Sequence, residues 1–158
     1  MSEIKLLFNK NYLAMIRNAA RGKNHMFQNL YASVDGAEDD ILKNGGLACT
    51  FFVAGILFIN KLISDMHAGD GGGLRKDMLA NGWQEIADLR EGAILEWEQQ
   101  PGADGLMHSH WGFYMANEQA VSNDSNGIGI PIIHHYTNHW QPARKIVKIY
   151  WHPLLDEI

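Results

Sequence analysis

The chain is poor in cysteine and in positive charge, and each shortage narrows what it can be. Cys49 is its only cysteine in 158 residues. One thiol cannot form a disulfide within the chain, so the fold rests on its core and nothing calls for an oxidising compartment. There are 13 Lys and Arg against 18 Asp and Glu, a net charge of −5. That balance lacks the basic face a nucleic-acid partner needs. Only Arg144, Lys145 and Lys148 approach a basic cluster. A long apolar run is missing too. The longest, Leu47 to Ile59, is broken by Cys49, Thr50 and Gly55 and is too short to span a bilayer, so no membrane insertion is expected. The N-terminal stretch carries charges throughout and has no uninterrupted apolar signal segment. The expectation is a protein cytoplasmic as synthesised, with release or export by another route left open.

Metal signatures are absent as well. Eight histidines are present, and His108, His110, His134, His135, His139 and His152 make a zinc site arithmetically possible. No H-E-x-x-H or C-x-x-C spacing accompanies them, so neither a metal nor another cofactor is expected. The Gly69–Gly73 loop has no preceding strand and no Lys-Ser/Thr ending, so it does not read as a phosphate cradle.

What is present is a globular composition, 46% hydrophobic and 20% charged, of a length that suits one domain. Residues 4–20 place Ile4, Leu6, Leu7, Phe8, Leu13 and Ile16 at roughly helical spacing. Residues 35–46 read as an acidic, turn-rich segment closing on Gly45-Gly46. The stretch from Leu47 is apolar around a whole helix circumference, which predicts a helix buried on all sides that starts at or just before Cys49. Leu74–Ala80 predicts a short helix stopped by Asn81-Gly82. Strand-like runs follow at 93–98, 110–115, 119–122, 130–136 and 145–151. Helices first and strands afterwards predict an α+β fold, an antiparallel β-meander packed on one central helix. The division expected is a helical N-terminal extension over 1–40 and a core over 45–152.

Cys49 stands at the opening of the buried helix, behind two glycines. A free thiol is mostly protonated near neutral pH. A helix N-terminus and an adjacent imidazolium both favour the thiolate. A lone cysteine in an apolar helix is otherwise a small hydrophobe, so its place at the helix start matters. His110 heads the run HWGFYM, with Gly112 on the same strand face leaving room beside the imidazole for a helix to press against the sheet. A polar group to hold the imidazole should come from the next strand, where Ser122 and Asn123 are the candidates.

The order GGLACTFFVAGIL, NGW, DLREGAILEWE, HWGFYMANEQAVSN resembles the NlpC-type branch of the papain-like cysteine peptidases and amidases. Members of that family place a cysteine at the start of the central helix. A segment of the form L-x-P-G-D-hydrophobic follows, and then H-hydrophobic-G-hydrophobic-Y. Leu89–Leu95 is similar to the middle element and His110–Tyr114 to the last. The likeness spans roughly residues 45–125. The departures are Ala48 where an Asp or Ser is usual, Phe51 where a small residue is, and Glu91-Gly92-Ala93 in place of Pro-Gly-Asp.

The resemblance implies a papain-like fold and a hydrolase cleaving an amide or peptide bond, of peptidoglycan type in most members. Cys49 would be the nucleophile and His110 the base. The family's third residue, often His, falls on Ser122 by its spacing from His110, with Asn123 next. Because asparagine is an orienter in the wider papain-like group, Asn123 is the first choice and Ser122 the second. Gly46, Trp111 and Trp140 are the expected substrate-binding positions. Two rivals stand beside this reading: a catalytically inactive papain-like binding or structural module, and a metal-dependent hydrolase using the histidines.

Overall fold

The computed structural model describes residues 1–156. Helix α1, Phe8–Ala19, buries Tyr12, Ile16 and Ala19. That i, i+4, i+7 stripe is the face a surface helix turns to a core. The expected helical stretch was longer. Ile4, Leu6 and Leu7 lie ahead of the helix and are exposed.

Residues 31–40 correct the expectation of a helical extension over 1–40. They form a hairpin, β1 (Tyr31–Val34) and β2 (Ala37–Asp40), paired antiparallel with Val34 opposite Ala37. Asp35 and Gly36 turn the chain with φ of 51° and 83°. Two successive left-handed residues are the I′ turn that matches strand twist, and Asp-Gly is its strong signal. The hairpin has no apolar face to announce it, and its residues are mostly exposed.

Helix α2, Cys49–Ile59, begins at the cysteine as expected. Its residues are buried from Cys49 to Leu57 with Phe51 half-buried, but Phe58 and Ile59 emerge at its end. Helix α3 spans Gly72–Ala80. The strands that follow are β3 (Gln84–Ile86), β4 (Ile94–Pro101), β5 (Met107–Tyr114), β6 (Gln119–Asn123), β7 (Pro131–His135) and β8 (Ile146–Trp151), with a 3-10 turn at Pro153–Asp156. β3 has only three residues and escaped the strand pattern.

The six strands form one antiparallel sheet in the order β3-β8-β4-β5-β6-β7. Strands β4 to β7 are the expected meander. β8 departs from it by returning across the sheet to lie between β3 and β4, with Ile94 opposite Tyr150. The observed class is therefore mixed α and β with an antiparallel sheet.

One face of the sheet carries the main core. Phe113 meets Phe52 of α2 edge-on with centroids 5.6 Å apart, and Tyr12 of α1 at 6.2 Å. Burying each such ring stabilises by about 1.5–3 kcal/mol. Tyr12 also donates its hydroxyl to the Gly92 carbonyl at 2.8 Å, so α1 shares the core of the later elements. A smaller cluster, Leu95, Trp97 and Ala120 with Trp140 against it, lies apart from this core. Among the described residues, no helix is long and apolar enough to cross a membrane.

Candidate active site

The site forms where strand β6 stops short. The register of β5 on β6 ends at Gly112 opposite Ser122, although β5 runs back to Met107. The loop ahead of α2 comes up to this end. Asn123 donates its amide Nδ2 to the Gly45 carbonyl at 2.7 Å. Gly45 packs so closely on the backbone of Gly129 that a Cβ there would collide with it. Earlier in the same loop, the Asp40 carboxylate accepts from the backbone N–H groups of Leu30, Leu42 and Asn44 and from Asn29. Burial works against its charge, but these four hydrogen bonds win and hold its pKa down to about 2.

Cys49 is thereby delivered against β5. Its Sγ lies 3.9 Å from the Ser109 carbonyl and takes a hydrogen bond from the Trp111 backbone N–H. Those two backbone groups flank His110. Cys49, His110, Gly46, Leu47, Trp140 and Arg144 line one cavity of about 250 Å³.

The expectation that the helix start would lower the thiol pKa is corrected. Cys49 is 8% exposed, and burial raises its pKa. That outweighs the Trp111 N–H, the Thr50 hydroxyl and N–H, and the positive charge of Arg144, all of which lower it. His110 moves well below its ordinary value, first through burial and then through the charges of Arg144, His134 and His139. Thiol and imidazole therefore rest neutral at pH 7.

The imidazole of His110 is held by Ser122, with Nε2 and Oγ 2.9 Å apart. Asn123, the first-choice orienter, ties down the loop instead and donates also to Ser125 Oγ at 3.0 Å. Beyond Ser122 stands His134, whose Nε2 is 2.6 Å from the same hydroxyl oxygen. His134 Nδ1 lies 2.7 Å from the His135 carbonyl.

This chain fixes every proton in it. A carbonyl only accepts, so His134 Nδ1 carries the hydrogen. Burial, with a further push from His139, brings the His134 pKa down to about 4, so the ring is neutral at pH 7 and its Nε2 is bare. The Ser122 hydroxyl donates to that nitrogen. Its oxygen then accepts from His110 Nε2–H, and the neutral His110 is left with a bare Nδ1. That nitrogen makes no hydrogen bond among the described residues.

Two tryptophans box the imidazoles. Trp97 lies 5.3 Å from His110 and 6.0 Å from His134. Trp140 lies 5.5 Å from His110 and 5.1 Å from His134. The space over Gly112 is filled by Ser122 and Trp97, whose atoms lie 2.7 and 3.0 Å from a Cβ built there, and not by a helix as the sequence suggested.

Of the other expected positions, Gly46 and Trp140 line the cavity and Trp111 does not. Trp111 is fully buried, stacked on Tyr150 at 5.9 Å, in the main core. Alternation along β5 puts 111 and 113 on that face and His110 and Gly112 on the other. His134 and Arg144 were missed as site residues. The signal for His134 was the strand register, which sets His134 two residues from the partner of Ser122. Among the described residues, no three His, Cys, Asp or Glu side chains are grouped to hold a metal ion.

Compared with known protein families and with curated proteins, the chain matches no family model and no curated sequence.

Proposed function

We propose that the chain is a cysteine hydrolase of an amide bond, papain-like in the NlpC manner, with Cys49 as nucleophile and His110 as base. The observation that carries this reading is the relay from the His135 carbonyl through His134 and Ser122 to His110. It leaves one imidazole nitrogen unprotonated in a cavity that also holds a thiol.

Because thiol and imidazole both start neutral, the base works during attack. As the sulfur adds to the substrate carbonyl carbon, the thiol proton passes to His110 Nδ1. The imidazolium keeps its Nε2–H on Ser122, whose hydroxyl still donates to His134. The oxyanion meets the Cys49 backbone N–H at the helix start. The C–N bond then breaks, the amine leaves with the proton from Nδ1, and a thioester remains on Cys49. Water, deprotonated by His110, attacks the thioester. The C–S bond breaks, the acid leaves, and the proton on His110 returns to the sulfur, restoring the neutral pair. Peptide links of peptidoglycan type are the proposed substrate, on the strength of the motif likeness.

The test is hydrolysis of peptidoglycan stem peptides followed by mass spectrometry. The expected result is one cleaved amide, lost in Cys49→Ala and in His110→Ala with the circular dichroism spectrum kept. The reading is overturned if no amide is cut and Cys49 reacts with iodoacetamide no faster than free cysteine at pH 6. That second outcome favours a papain-like binding module, a reading supported by the burial that raises the Cys49 pKa.

A further inference from the structure

Arg144 is 5% exposed and lines the cavity beside Cys49. Its Nε donates to the Glu98 carbonyl at 2.8 Å and its Nη2 to the His108 carbonyl at 2.9 Å. A guanidinium has five N–H groups, so three are left over. No carboxylate lies within salt-bridge distance of it among the described residues. The Glu98 side chain turns instead to the Lys145 backbone N–H at 3.0 Å.

The contrast within the molecule is sharp. Arg17, Arg75 and Arg90 each meet a carboxylate, on Glu91, Glu96 and Asp156. All three are more exposed than Arg144. A buried cation without a counter-ion is costly, and backbone carbonyls with the Trp140 ring at 5.7 Å offset only part of that cost. The cavity does hold two carboxylates, but both are engaged locally. Asp104 accepts from the Leu106 N–H at 2.9 Å and meets His108 Nε2 at 2.8 Å. Asp124 accepts from the Ile128 N–H at 3.4 Å and lies 3.7 Å from His139.

Asn123, on the same cavity wall, does not supply the missing counter-charge. It is 1% exposed, its Nδ2 donates to the Gly45 carbonyl, and its Oδ1 is enclosed by protein. What the cavity leaves unanswered is the charge of Arg144, which is complementary to a carboxylate.

We propose that Arg144 binds a carboxylate of the substrate, which makes the substrate a carboxylate-bearing peptide. The proposal deepens the hydrolase reading and rests on it for the word substrate; the binding itself needs no catalysis. The planar fork of arginine suits a carboxylate held by two parallel bonds.

The experiment measures binding to the Cys49→Ala protein, which cannot turn over. The probes are four acetyl-alanyl dipeptides, with Glu or Gln as the second residue and a free or amidated C-terminus. The carboxylate form, from whichever source is recognised, should bind about 10- to 100-fold more tightly than the doubly amidated one. The two single-carboxylate probes separate a side-chain source from a terminal one. Arg144→Gln should abolish the difference, and Arg144→Lys should restore part of it. Arg144 also ties down two carbonyls, so its variants are compared only after a thermal melt shows them folded. The four-probe comparison on the unaltered arginine decides even if they are not. Equal affinity for all four probes, or no measurable binding of any, overturns the proposal. Carboxylate-selective binding without cleavage of any amide by the parent protein would instead sink the hydrolase reading and leave this subsite standing.

Discussion

Replacing Ser122 by alanine tests the relay at its narrowest point. The side chain is 1% exposed, and its one oxygen serves two imidazoles, at 2.9 Å to His110 and 2.6 Å to His134. Alanine nearly conserves volume, so cavity formation adds little. What is lost is the partner of two buried nitrogens, a donor on His110 and an acceptor on His134. Each such loss costs about 1–3 kcal/mol, so the expected destabilisation is about 2–6 kcal/mol. Against a domain stability of about 5–15 kcal/mol that is a large but survivable fraction. Urea unfolding at pH 7.5 reads the change as a lower midpoint at constant slope. Long-range proton–nitrogen NMR on the parent protein reads its cause: His110 should be the Nε2–H form and His134 the Nδ1–H form. In Ser122→Ala the preference of His110 should weaken, and any amidase activity should fall by two or more orders of magnitude. A loss of stability under about 0.5 kcal/mol, or a parent His110 protonated on Nδ1, would refute the proton assignment through the chain.

Acid should unfold the protein from an unusually high pH. His110 and His134 have folded pKa values below the free value, His134 at about 4, so between there and about 6.5 the unfolded chain binds more protons. Stability is full above pH 6.5 and falls as the pH drops, on the order of 3 kcal/mol for His134 alone by pH 4. His134→Phe should flatten that slope in a series of thermal melts. Gly112→Ala should cost about 1–3 kcal/mol, since its Cβ would sit 2.7 Å from Ser122 Cβ and the Val121 carbonyl oxygen; an unchanged melting temperature would show that the sheet can yield there. Asp40→Ala should free the backbone amides of Leu42 and Asn44, read as faster hydrogen exchange at those two sites with the α2 amides still protected.

Much of this protein is written locally. The all-round apolar pattern announced α2 and its start at Cys49, because a helix with no polar stripe has nowhere to go but inside. The strand runs were legible because alternation and turn residues act over a few neighbours. The hairpin at 31–40 was legible in principle from Asp35-Gly36 alone, but strands without an apolar face leave no periodicity to read. Pairing was not legible: nothing in residues 145–151 says that β8 returns beside β4. The site shares that limit. His110 and Ser122 could be named from a motif and a strand spacing.

His134 became part of the relay only because β7 pairs with β6 and sets its imidazole against the Ser122 hydroxyl. Arg144 was one of three basic residues in a mild cluster until the fold buried it without a carboxylate. Trp111 went to the core because the alternation of β5, set by α2 on one face, decided its side. The sequence by itself determined which segments are helix and strand and which residues bear chemistry, through short-range periodicity and residue type. The tertiary structure alone decided which of those residues meet, which are desolvated and where each proton sits. Burial and hydrogen-bond partnership are set by segments far apart along the chain.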